Sequence, residues 1–166
     1  TKEFMINVAL LGFGRIGQMH AQNIYLNKTL NLLYVYEKID KLRKKAKNLY
    51  NCKIEKDYKK IFSDEKVDII FISSPTNTHI RFIEEGIKYN KTIFCEKPLD
   101  LNINKIVKTF KKVKKNNSKI QMGFNRRFDP SHHSIKKDLE KGKIGRLEKI
   151  IITSRDPAPP SKTYLR

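Results

Sequence analysis

Near its start the chain runs from Phe4 to Leu11 as an apolar stretch and then reads Gly12-Phe13-Gly14-Arg15-Ile16-Gly17. No other feature constrains the fold as tightly. The glycines have the G-x-G-x-x-G spacing by which a buried strand turns at once into a helix against a diphosphate. Gly12 permits the turn, Gly14 keeps side-chain atoms out of the pyrophosphate's path, and Gly17 lets helix and strand pack closely. Phe13, Arg15 and Ile16 fill the remaining places of the turn. There the free N–H groups and positive dipole end of the helix favour an anion.

A second segment adds weight to the motif. Leu30 to Tyr36 reads as another strand, and it ends at Glu37. An acid about 20 positions past the glycines is placed to accept hydrogen bonds from the adenosine ribose hydroxyls. Its charge repels a 2′-phosphate, which predicts NAD over NADP. Lys38 and Arg43 are nearby cations that soften this preference, and a solvated Glu opening the next helix is the plainer reading.

The rest of the chain alternates in the same way. The pattern predicts helices over 15–27, 39–49, 57–62, 79–89 and 102–116, with strands over 52–54, 67–72, 91–95 and 119–124. Val67 to Ile72 is almost continuously apolar, as in parallel strands covered on both faces. Such alternation indicates a doubly wound α/β domain over residues 1–124. Past Phe124 the character changes. Asp129-Pro130 is a helix start, with an N-cap followed by proline at the first helical position. That helix is expected to stop at Gly142, and Leu147 to Ser154 reads as a β-branched strand. Residues 125–166 therefore look like the opening of an incomplete α+β domain.

Charge and cysteine content narrow the function classes. The formal charge of +19 invites a nucleic-acid reading. Lysines and arginines are spread over nearly every helix, however, and no nucleic-acid motif is present. The densest basic run, Lys105 to Lys119, places Ile106, Val107, Phe110 and Val113 near helical spacing, which makes it an amphipathic helix with a lysine-covered outer face. No run approaches the ~20 apolar residues of a membrane span. Cys52 and Cys95 have no metal-ligand spacing, so reduced, buried thiols in a cytoplasmic protein are expected, with no metal site. His132 and His133 read as surface residues without a partner acid.

In doubly wound sheets ligands bind beyond the carboxyl ends of the strands. Three clusters fall there: Ser73-Ser74-Pro75-Thr76-Asn77-Thr78-His79, Glu96-Lys97-Pro98, and Asn125-Arg126-Arg127-Phe128-Asp129. Proline restrains the residue before it to an extended backbone, so Lys97 projects from a fixed point. A lysine in its free-amine form can remove a proton from an alcohol as hydride leaves the carbon. His79, at a helix start, has the plainer alternative of satisfying local backbone groups.

In this order G-F-G-R-I-G, S-S-P-T-N-T-H, C-E-K-P-L and G-F-N-R-R-F-D resemble the Gfo/Idh/MocA oxidoreductase family, and the last of them with S-R-D-P-A-P-P is most similar to its inositol 2-dehydrogenase branch. The resemblance implies that Lys97 is the catalytic lysine and also touches substrate. It implies that Gly12, Gly14, Gly17 and Glu37 hold NAD, and that Ser73, Ser74, Pro75, Asn77 and His79 lie along the nicotinamide side, with Glu96 adjoining them. Arg126 and Asp156 would touch polyol hydroxyls. The family's further D-x-x-x-H-D type motif is not present here, so the resemblance points to part of a longer polypeptide that is inactive alone and homo-oligomeric when complete. The implied activity is oxidation of a secondary hydroxyl of myo-inositol or a related polyol to a ketone. A glucose-type sugar dehydrogenase of the same family, or a non-catalytic NAD-binding or sensing protein, would share the same Rossmann residues.

Overall fold

The computed structural model describes residues 5–155, and the chain divides after Phe124 into two compact units. The first is built on a six-stranded sheet. Its strands are β1 (Ile6–Leu11), β2 (Leu30–Tyr36), β3 (Lys53–Glu55), β4 (Ile69–Ile72), β5 (Thr92–Glu96) and β6 (Ile120–Gly123). The spatial order is β3-β2-β1-β4-β5-β6 and every neighbouring pair is parallel. Between them run α1 (Arg15–Leu26), α2 (Asp40–Tyr50), α3 (Tyr58–Ser63), α4 (His79–Lys88) and α5 (Ile103–Lys115). This is the Rossmann order, and its direction reverses between β1 and β4, where the connections leaving the two adjacent strands pass to opposite faces of the sheet and a crevice forms beyond their carboxyl ends.

The period-two alternation of strand side chains sorts the core into two layers. Val8 and Leu10 of β1 pack with Ala21, Ile24 and Ala46 on the α1–α2 face. Ala9 and Leu11 pack with Phe62, Phe82 and Val113 on the opposite face. Both faces being covered explains why the strands read as apolar runs. The expected strand 67–72 is shorter than its apolar run: the Val67 N–H closes the preceding turn on the Asp64 carbonyl, and Asp68, bonded through its backbone to Asn7 and Thr92, leads into the strand. In α5, Ile106 and Val113 pack against the sheet as expected, whereas Val107 and Phe110 stay exposed, at 47% and 39%. The packed stripe of that helix is narrower than its hydrophobic pattern.

The second unit holds a 3-10 turn, Asn125–Phe128, and α6 (Pro130–Glu140). Asp129 caps α6 as anticipated, its Oδ1 accepting from the Ser131 and His132 N–H groups at 3.0 Å each. The strand expected at 147–154 does not form. A β-branched run becomes a strand only when a neighbour takes its N–H and C=O groups, and among the described residues none pairs with it. His132 and His133 are exposed, but His132 does have a partner acid: its Nδ1 lies 2.9 Å from Asp129 Oδ1, one helical turn back.

Candidate cofactor site and its family

The glycine turn closes β1 onto α1, and each glycine answers a separate steric demand. Gly12 has φ +95°, and a Cβ there would lie 2.7 Å from the Ser74 backbone. A Cβ on Gly17 would lie 2.1 Å from the Gly12 carbonyl oxygen. Gly14 differs: it is exposed, and an added Cβ would meet no atom within 4 Å. Its lack of a side chain therefore serves the space in front of the turn and not the protein's own packing. Gly14 is the N-cap of α1, no side chain caps that helix, and its first turn carries no acid. The orphan N–H groups of Arg15, Ile16 and Gly17 and the helix dipole face outward at the end of the crevice. That is the cradle a diphosphate requires.

Glu37 follows β2 and reaches back to this turn. Its Oε2 accepts from the Phe13 N–H at 2.8 Å and its Oε1 from the Ile39 N–H at 3.0 Å. A carboxylate has about four lone-pair sites, so both oxygens keep capacity for ribose hydroxyls. Arg43 is placed otherwise than its reading as a loose cation: it is 4% exposed. Its guanidinium donates to the Glu37 and Lys38 carbonyls and pairs with Asp40, holding the loop that carries Glu37.

The loop after β4 meets the glycine turn directly. Ser73 Oγ donates to the Gly12 carbonyl at 2.9 Å, and Ser74 Oγ lies 2.6 Å from Thr78 Oγ1. Pro75 and Asn77 are exposed; Pro75 precedes the 3-10 turn Thr76–Thr78 and Asn77 is its middle residue. The ring of His79 is 1% exposed, with Nδ1 at 2.9 Å from the Pro98 carbonyl and Nε2 at 2.8 Å from the Ser74 carbonyl. Each ring nitrogen faces a backbone carbonyl, and the one that carries the proton donates to it, so the ring serves local backbone groups, the plainer of the two readings of the sequence. Glu96 and Lys97 stand at the end of β5. Lys97 is exposed, and the Lys97–Pro98 peptide bond is cis. Glu96 Oε1 lies 2.7 Å from Nε2 of His20, a residue of α1 that belongs to none of the motifs. A signal for it existed: His20 sits on the same stripe as Gly17, Ala21 and Ile24, which are buried, and a polar residue there needs a partner. Arg126 lies exposed in the 3-10 turn of the second unit. Asp156 falls outside the described residues.

Comparison with known proteins decides the family. Residues 6–124 match the Gfo/Idh/MocA model, described as "Oxidoreductase family, NAD-binding Rossmann fold". The chain belongs to this family. Among curated proteins, a myo-inositol 2-dehydrogenase of Thermotoga maritima is 37% identical over 163 residues, covering 97% of this chain and 48% of that protein. An inositol 2-dehydrogenase of Rhizobium meliloti is 35% identical over 161 residues, with 97% and 48% covered. Among solved structures, a myo-inositol dehydrogenase from Corynebacterium glutamicum superposes with a TM-score of 0.90 at 35% identity, covering 97% of this chain and 48% of that one. A scyllo-inositol dehydrogenase from Lactobacillus casei, solved with NAD(H) and scyllo-inositol, gives 0.81 at 31% identity, covering 85% and 42%. The chain thus spans about half the length of the relatives it matches. As a member of the Gfo/Idh/MocA family it carries the NAD-binding Rossmann fold. Among the described residues no helix is long and apolar enough to cross a membrane. No group of three or more His, Cys, Asp or Glu side chains among them could hold a metal ion.

Proposed function

We propose that the protein containing this chain is an NAD-dependent dehydrogenase that oxidises a secondary hydroxyl of myo-inositol or a related polyol to a ketone, with Lys97 as its proton-transfer residue. The observation that carries this reading is the position of Lys97. It stands at the carboxyl end of β5, joined through the Pro98 carbonyl, His79 and Ser74 to the loop that abuts the glycine turn. The names of the relatives support a cyclic polyol as substrate. NAD, when bound, supplies the hydride acceptor. The N–H groups at the start of α1 bind its diphosphate, and Glu37 accepts from its adenosine ribose. Ser73, Ser74, Pro75 and Asn77 line the nicotinamide side, next to Glu96. As a free amine, Lys97 takes the hydroxyl proton, which prepares the carbonyl product. Arg126 and Asp156 orient the remaining polyol hydroxyls. The two buried, free thiols fit a cytoplasmic setting, and the complete protein is read as a homo-oligomer without nucleic-acid partners.

The test is Lys97→Ala in the full-length gene product. Loss of general acid–base catalysis costs about 10²- to 10⁴-fold in kcat, while NADH affinity stays within about twofold. A variant that retains kcat within a few-fold removes Lys97 from the reaction.

A further inference from the structure

Two histidines from different helices hold the residues on either side of Lys97. On one side stands Glu96, half-buried at the end of β5. Its Oε1 is 2.7 Å from His20 Nε2, and its Oε2 accepts from the Lys97 N–H at 3.2 Å. One carboxylate therefore links α1 to the backbone of the lysine. His20 is itself fixed by aromatic packing. Its ring lies 4.9 Å from Phe71 of β4 and 5.5 Å from Phe94 of β5, and those two rings stack at 4.0 Å. Gly123 of β6 leaves room for the arrangement, since a Cβ there would sit 3.0 Å from Phe94 Cζ and 3.2 Å from Glu96 Cδ and Oε1. On the other side stands Pro98, whose carbonyl faces His79 Nδ1 at 2.9 Å, with His79 Nε2 against the Ser74 carbonyl at 2.8 Å.

Lys97 itself has an exposed side chain and makes no side-chain hydrogen bond or ion pair among the described residues. Where its amine can reach is thus set by its backbone, and both flanking residues are tied down. Catalytic geometry tolerates little slack: a misplacement of ~1 Å costs on the order of 10²-fold. We propose that His20 and His79 are positioning residues that hold Lys97 in its working place, His20 through the Glu96 carboxylate and His79 through the Pro98 carbonyl. The inference rests on the reading of Lys97 as the proton-transfer residue.

The experiment is a double-mutant cycle in the full-length gene product, with NAD and myo-inositol as substrates. Steady-state kinetics, NADH titration and thermal unfolding are measured on His20→Ala, His20→Gln, His20→Asn, His79→Gln, Lys97→Ala and His20→Ala/Lys97→Ala. His20→Ala is expected to lower kcat by about 10- to 100-fold, with the NADH dissociation constant within threefold. His20→Gln, whose amide again donates to Glu96, is expected to recover most of that loss. In the Lys97→Ala background, His20→Ala is expected to cost less than twofold more, because it acts only through the lysine. His79→Gln, whose amide stands at the Nε2 position toward the Ser74 carbonyl and leaves the Pro98 carbonyl without its donor, reports the second tie and is expected to lower kcat with NADH affinity preserved. An equal His20→Ala penalty with and without Lys97 would overturn the proposal. So would an unchanged kcat in His20→Ala and His79→Gln, or an NADH affinity that falls in step with kcat. A Lys97→Ala protein with normal turnover sinks the underlying reading instead, and that single variant reports it separately. If His20→Ala does not fold, His20→Asn, whose shorter amide stands at the Nδ1 position and does not reach Glu96, and His79→Gln still decide, since either retaining wild-type kcat removes its histidine from the proposal.

Discussion

Replacing Gly14 by Ala separates what the glycine turn does for the fold from what it does for the ligand. The backbone at Gly14 has φ −68° and ψ −167°, open to any L-residue, and the added methyl group meets no protein atom within 4 Å. Restricting the unfolded chain stabilises by about 0.4–1 kcal/mol. The preference of an N-cap for Gly over Ala offsets roughly that much. The melting temperature should then move by no more than about 2 °C, given about 2–4 °C per kcal/mol for a chain of this size. A diphosphate approaching the N–H groups of α1 must pass through the space the methyl group fills. Loss of one charge-assisted hydrogen bond, about 1.5–3 kcal/mol, weakens NADH binding by about 10- to 150-fold. The assay is an NADH titration by fluorescence beside thermal unfolding. Gly17→Ala is the counter-example, because its Cβ would lie 2.1 Å from the Gly12 carbonyl oxygen and the backbone must move, at about 1–3 kcal/mol or more. Unchanged NADH affinity in Gly14→Ala would refute the placement of the diphosphate, and a large fall in its melting temperature would refute the steric argument.

Glu37→Ala should lower NAD affinity and narrow the gap between NAD and NADP, measured as the ratio of dissociation constants. It should also reduce stability by about 1–3 kcal/mol, because the Phe13 N–H loses its acceptor. The thiols give a pH prediction. Burial pushes Cys52 up to about 11 and Cys95 up to about 12. Between the ordinary thiol value of ~8.5 and those values the folded chain holds protons that the unfolded chain has released. Their contribution is thus fully present below about pH 8.5 and is lost as pH rises through that window. Burial pushes the phenols of Tyr34, Tyr36 and Tyr50 up too, which acts in the same direction, while Lys91, pushed down by burial, opposes it. Urea midpoints at pH 8 and pH 10 should show the fall, and a smaller fall in Cys95→Ala. At pH 8 neither thiol should react with a disulfide reagent before unfolding.

The strand–turn–helix at Gly12–Gly17 and the alternation of six strands with helices were readable because both rest on local spacing and local periodicity. The N-cap at Asp129 was readable for the same reason. What escaped depends on contacts between distant segments. His20 meets Glu96 across 76 positions of sequence, and only the parallel pairing of β4 with β5 puts Phe71 and Phe94 beneath its ring. Arg43 reads as one cation among many until its guanidinium is seen buried under the Glu37 loop. The run 147–154 has strand composition, but composition cannot supply the neighbour whose hydrogen bonds make a strand. The pairing of His132 with Asp129 is hidden for a smaller reason: the acid already has a role as a cap, and it fills both.

Whether this Rossmann half serves polyol oxidation by NAD is decided by NADH formation in the full-length gene product, offered myo-inositol beside glucose and other polyols. Turnover with myo-inositol and NAD, and little with NADP, is the predicted result. A folded protein that binds NADH yet turns over no polyol or sugar would contradict it and leave a non-catalytic NAD-binding role in its place.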